Sequence, residues 1–144
     1  MSLTEEEKKQ IVDYRLEKSK RTLEDALKII ELKMWVTAAN RLYYAAYYAV
    51  SALLIYNNIN TKTHDGIIRM FNQHFVYTGK IDKELARQYN LLYTMRLTGD
   101  YGDCFDLQEN DVLPLVEPAR IFIAKIWEML EKSGNKSTLN LSYD

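Results

Sequence analysis

The stretch LYYAAYYAVSALLIY, residues 42–56, is the most apolar run in the chain and limits the folds open to it. On a helix from about Trp35 to Tyr56, Leu42, Ala46, Val50 and Leu53 form one line. Tyr44, Tyr47, Tyr48 and Ile55 fall on other sides. A helix that is apolar nearly all round is buried all round. The run is 15 residues long and holds five tyrosines, short of the roughly 20 apolar residues that a membrane-spanning helix needs. Its burial is therefore expected to come from protein. One face should meet the chain's own core. The other should meet a second copy, because tyrosine buries a large apolar body and keeps a hydroxyl for a partner. The expected assembly is a homodimer with Tyr44, Tyr47 and Tyr48 at its interface.

The rest of the chain reads as further helices. With 5 Gly and 2 Pro in 144 residues, few turns are encoded, and the length suits one domain. A first helix runs from about Thr4 to Leu32. Thr4 is its N-cap, and Glu7 completes a capping box. Its apolar side carries Leu16, Leu23, Leu27 and Ile30, with Ile11 and Tyr14 as a further pair. Its other face carries Lys18, Lys20, Arg21, Glu24 and Lys28 and reads as solvated. After the polar loop NNINTKTHDG, with Asn58 as a left-handed cap, a third helix starts at the N-cap Thr63 and stops by Gly79. A fourth follows Asp82 and runs to about Gly99, before an irregular connector. A fifth spans about Asp111 to Lys132. Pro114 is tolerated in its first turn, and Pro118 bends it or delays its true start. The expected fold is all-α: an up-and-down four-helix bundle with an additional short helix, as one domain over 1–132. Residues 133–144 form a polar C-terminal tail.

Composition narrows function mainly by exclusion. A formal net charge of −1 argues against a large electrostatic footprint for nucleic acid, while a local basic patch remains open. The single cysteine, Cys104, allows no internal disulfide and no cysteine-based zinc site. It lies between Asp103 and Asp106 in sequence space, an acidic setting unsuited to a nucleophile. No Gly-rich phosphate loop or metal motif occurs, so no cofactor or metal is expected. The acidic, polar N-terminus does not resemble a secretory signal, and the reading is a soluble cytoplasmic protein.

The candidate chemistry gathers around TMRLTGDYGD, residues 94–103. Arg96 and Asp100 are four apart and share a helix face. The plain alternative is an exposed ion pair worth about 0.3–0.5 kcal/mol. Against it, Arg96 follows Leu92 and Met95 at the edge of an apolar face, and a helix ending at Gly99 would present Asp100 and Tyr101 from a turn. His64 falls in the first turn of the third helix, where a neutral imidazole is favoured and anions are attracted. A surface or capping histidine is the plain alternative. Arg41 opens the tyrosine run; so apolar a setting calls for an acid partner or an aromatic face to stack on.

Together, AANRLYYAAYYAVSALL (38–54), THDG (63–66) and LYTMRLTGDYGD (92–103) resemble the HEPN superfamily, and within it the UPF0332-like small proteins. The likeness covers about residues 12–132. It implies a helical bundle that dimerises, with a minimal nucleotidyltransferase as partner in a toxin–antitoxin pair. Many such domains are metal-independent endoribonucleases marked by an Arg followed four to six residues later by a His. The arginine would bind phosphate, and the histidine would move protons during attack by a ribose 2′-hydroxyl. In some pairs the partner adds nucleotides to a tyrosine near that motif. Here Arg96 is in place, but Asp100, Tyr101 and Gly102 stand where the histidine would fall. Asp100 would repel a phosphate. His64 replaces the lost histidine only if the fold brings it to Arg96.

Three functions follow. The first is a weakly or non-catalytic subunit that binds RNA or a nucleotide through Arg41, Arg96 and Tyr44. The second is an active endoribonuclease using Arg96, Asp100, Tyr101 and His64. The third is a purely structural dimer.

Overall fold

A computed structural model describes residues 3–101 and 107–132, with the side chains of Asp100 and Tyr101 outside that description. The elements are α1 (Glu5–Glu31), α2 (Trp35–Tyr56), α3 (His64–Phe71), α4 (Lys83–Tyr101), α5 (Glu109–Val112) and α6 (Val116–Lys132). A π-helical turn, Asn72–Val76, extends α3, and a 3₁₀ turn, Leu113–Leu115, joins α5 to α6. Every described element is helical, so the all-α expectation holds. The four long helices α1, α2, α4 and α6 make the bundle, and α3 is the additional short one.

Local chemistry sets most of the ends. Thr4 accepts from the Glu7 N–H at 3.0 Å, and Glu7 accepts from the Thr4 N–H at 2.9 Å, closing the capping box that starts α1. Asn58 takes the left-handed conformation at φ 61° after α2, and Gly79 does so at φ 79° beyond α3. Thr63 caps α3 by accepting from the Gly66 N–H at 2.9 Å. Pro118 is the third residue of α6, within the first turn, where its missing N–H has no intrahelical role. The delayed start is the one its position demanded.

Two expectations are corrected. Helix α4 does not stop at Gly99; it continues through Tyr101. Gly99 is a packing residue instead. A Cβ there would lie 3.0 Å from Leu107 Cδ1 and 3.3 Å from Val36 Cγ1, so the missing side chain lets α4 pack closely against both. Asp100 and Tyr101 therefore close a helix and are not presented from a turn. On the rim of the bundle, Tyr14 and Ile121 face outward at 56% and 52% exposure, so neither helps form the core.

Helix α2 is the hub. It packs on α1, α3, α4, α5 and α6, which explains why its sequence is apolar on every side. Its alanines, among them Ala38, Ala45, Ala46, Ala49 and Ala52, are fully buried and let the neighbouring helices approach. Most of the demand for burial is thus met within one chain. Tyr44, Tyr47 and Tyr48 are half-buried against the chain's own residues.

An aromatic column crosses the core. The Tyr43 ring stacks on Tyr89 at 5.8 Å, and Tyr89 stacks on Phe122 at 5.8 Å. Phe71 meets both Tyr89 and Phe122 edge-on. Each such pair contributes about 0.5–1.5 kcal/mol beyond the area it buries. The column ties α2, α3, α4 and α6 together and ends, at Tyr43, beside the polar cluster described next.

Candidate functional site

Three elements converge where α2, the start of α3 and the C-terminal half of α4 meet. Helix α2 supplies Tyr43, Tyr44 and Tyr47; i, i+3 and i, i+4 spacing puts them on adjoining rows of its surface. The first turn of α3 supplies His64 and Asp65. Its place is fixed by the Thr63 cap and by Gly66, where a Cβ would collide with Thr61 Oγ1. Helix α4 supplies Tyr93 and Arg96, one turn apart. Tyr93 donates to Asp65 Oδ1 at 3.0 Å and so links α3 to α4.

His64 is enclosed by tyrosine. Its ring stacks on Tyr47 at 4.6 Å, and its Nδ1 lies 2.6 Å from the Tyr43 hydroxyl. Tyr44 meets it edge-on at 5.7 Å. Burial lowers the His64 pKa from its ordinary value, and the nearby Arg96 cation lowers it further; Asp65 opposes both. The neutral imidazole is then the resting form near pH 7. Burial holds the Tyr43 phenol well above its ordinary range, so the phenol keeps its proton. The Tyr43 hydroxyl thus engages Nδ1 as a neutral phenol, and Nε2 is the ring nitrogen left for another partner.

Arg96 packs on the same rings. Its guanidinium carbon is 5.7 Å from the centre of Tyr43 and 5.6 Å from that of Tyr44, and Nη2 donates to the Tyr44 hydroxyl at 3.3 Å. Arg41 also stacks on Tyr44, at 5.2 Å, and grips Asn40 Oδ1 through Nε at 3.0 Å and Nη2 at 2.7 Å. Of the two partners anticipated for Arg41, the aromatic face is present, while the Asp100 side chain lies outside the described residues. Two cations thus meet on one tyrosine, next to a neutral imidazole that keeps one N–H. The arrangement is a set of donors and positive charge suited to a phosphate or another oxyanion.

Of the residues singled out in the sequence, Arg41, Tyr44, Tyr47, His64 and Arg96 come together here. Tyr48 lies to one side, with the Lys18 ammonium 4.7 Å from its ring centre. The side chains of Asp100 and Tyr101, and all of Cys104, lie outside the described residues. Sequence reasoning missed Tyr43 and Tyr93, and it marks Asp65 only as a first-turn acid beside His64. Tyr43 could have been found by its i, i+4 relation to Tyr47 in the tyrosine run; nothing local marks Tyr93 as the partner of Asp65. Among the described residues, no three His, Cys, Asp or Glu side chains are grouped to hold a metal ion. No described helix is long and apolar enough to cross a membrane.

Comparison with known proteins agrees with this construction. The HEPN domain family matches residues 12–130. A UPF0332 protein of Thermotoga maritima is 36% identical over 125 residues, covering 87% of this chain and 95% of its own. A Methanocaldococcus jannaschii protein named "Putative toxin MJ0142" is 31% identical over 117 residues, 81% of this chain and 80% of its own. A second from that organism, "Putative toxin MJ0605", is 30% identical over 117 residues, 81% of this chain and 87% of its own. Helical architecture, matched span and relatives agree: the chain belongs to the HEPN domain family.

Proposed function

We propose that the chain is the toxin-type subunit of a paired toxin–antitoxin or defence system, acting as an RNA- or nucleotide-binding HEPN protein. Its phosphate site is Arg96 with Arg41, Tyr44 and His64. The observation that carries the reading is the packing of Arg96 and His64 on the same two tyrosines, Tyr43 and Tyr44. The arginine and a histidine absent from its own motif are neighbours in space. The relatives named as toxins support the biological setting. A second copy of the chain and a nucleotidyltransferase are the partners in this reading.

Binding is favoured over catalysis because aspartate stands where the motif histidine would fall. His64 Nδ1 is engaged by the Tyr43 hydroxyl, which leaves Nε2 to face a ligand. A ring that carries its proton on Nε2 donates to a phosphate, and would have to pass that proton on before accepting one from a 2′-hydroxyl. The Tyr43 contact also favours a second reading, metal-independent endoribonuclease activity, because the phenol offers a route for such a shift. Aspartate in place of the motif histidine weighs against it.

The test is binding of a short single-stranded RNA by fluorescence anisotropy, with total RNA incubated in EDTA alongside. Wild-type protein should bind, and Arg96→Ala should lose about 10- to 100-fold in affinity, the range for a charged hydrogen-bonding contact. Equal affinity in the variant would end the phosphate assignment. Cleavage that disappears in both Arg96→Ala and Tyr43→Phe would promote the second reading.

A further inference from the structure

A cleft of about 310 Å³ opens between α1, α2 and the connection into α3. Its polar side is formed by Arg15, Ser51, Asn60 and Lys62; its floor is aliphatic, with Ile67 from α3, and Tyr47 forms one wall. The same Tyr47 stacks on His64 at 4.6 Å. One ring therefore separates the cleft from the Arg96–His64 cluster, and the two are contiguous.

The chemistry of the lining is specific. Arg15 reaches across from α1 and donates to the neutral Ser51 hydroxyl. Among the described residues no acid lines the cleft, although two cations do. A charge this close to apolar surface favours a ligand of opposite sign. The aliphatic floor and the tyrosine wall suit a flat, weakly polar group, while the amide and hydroxyls suit its edge. The volume is at the small end of the roughly 300–1,000 Å³ of small-molecule pockets. Anion, flat ring and small size together describe one nucleotide.

We propose that this cleft is a second nucleotide subsite, with Arg15 and Lys62 taking the phosphate and the base lying on the aliphatic floor beside Tyr47. The proposal rests on the reading above that the chain's ligand is a nucleotide or RNA. It adds a position one Tyr47 ring away from the Arg96–His64 cluster. On a strand, the phosphate at Arg96 and the nucleotide in the cleft would belong to neighbouring residues.

The test uses the whole chain with isotope-labelled isoleucine methyl groups. Ile67 reports on the cleft, and Ile123, fully buried in the core, is the control. Two probes are titrated: 5′-AMP and a short single-stranded RNA. At least one should shift Ile67 and leave Ile123 in place. Lys62→Gln, at an exposed position that packing does not depend on, should weaken the effect about tenfold, and adding Arg15→Gln should remove it. A shift with 5′-AMP alone identifies a free nucleotide as the occupant; a shift that needs the oligonucleotide identifies a strand. If neither probe moves Ile67, or if the shift survives in the double variant, the subsite is wrong. Arg96→Ala separates this from the first reading. Unchanged oligonucleotide affinity in that variant defeats the Arg96 assignment, while the Ile67 response to 5′-AMP still decides the cleft.

Discussion

Replacing Tyr43 by Phe is the sharpest probe of how the site is set. Tyr43 has no exposed surface, and its hydroxyl lies 2.6 Å from His64 Nδ1. The substitution keeps the ring, and with it the stack on Tyr89 and the contacts to Tyr44, Tyr47 and Tyr93. Only the hydroxyl goes. A net hydrogen bond is worth about 0.5–1.5 kcal/mol, and a half-buried imidazole can recover part of the loss from water. The expected cost is therefore about 1 kcal/mol, or about 2–4 °C in melting temperature for a chain of this size. Tyr43→Ala, which also empties the ring's place, should cost about 3–5 kcal/mol. The assay is urea unfolding at pH 8, where His64 is neutral and the phenol protonated, as a double-mutant cycle with His64→Ala. The coupling should be about 1 kcal/mol with an unchanged denaturant slope. A coupling below about 0.3 kcal/mol, within the range of independent sites, would show that the contact does not hold the imidazole.

The histidine also makes stability depend on pH. Its folded pKa is below the ordinary 6.5, chiefly through burial and then through Arg96. The unfolded chain therefore binds this proton at a higher pH than the folded one, and stability should fall as pH drops below about 6.5. His64→Gln should flatten that part of a stability-against-pH curve; an unchanged curve would place the effect elsewhere. Gly66→Ala should destabilise by about 1–2 kcal/mol, the worth of a helix cap, because its Cβ meets Thr61 Oγ1 and lies 2.8 Å from the capping Thr63 Oγ1. Thermal unfolding checks it, and a neutral result would mean that the connection yields freely. Light scattering at micromolar concentration should give twice the 16.9 kDa chain mass, and a monomeric mass would count against the proposed homodimer.

What was legible in the sequence was mainly local. The Thr4–Glu7 box, the span of α2, the Thr63 cap and the left-handed Asn58 each depend on residues a few positions apart. Gly99 misled because glycine's usual meaning near a helix end is local, whereas here it depends on Val36 and Leu107 from other segments. The apolar surround of α2 was readable, but the identity of its cover was not: the same pattern serves a hub inside one chain and a face shared between two. At the site, Arg96, Arg41, Tyr44 and His64 stood out by type and motif. Their meeting did not, since it depends on how α3 lies across α2 and α4. Arg15 was hidden for the same reason. Nothing in its sequence neighbours marks it, and only the packing of α1 on α2 brings it to Ser51.

The tyrosines explain why a small helical bundle can hold such a site at all. A guanidinium stacked on a ring is supported by about 0.5–2 kcal/mol of cation–π attraction. Tyr44 supports both Arg41 and Arg96 in this way. Tyr43 fixes the imidazole, and its ring is anchored through Tyr89 to Phe122 in the core. Tyr93 holds Asp65, whose carboxylate opposes the lowering of the histidine pKa by burial and by Arg96. The groups that would meet a phosphate are thus attached, ring by ring, to the buried core. Preorganised donors of this kind lose little freedom when they bind. The richness of α2 in tyrosine therefore has a reason beyond burial: Tyr43 and Tyr44 pack on the core and also carry Arg41, Arg96 and His64.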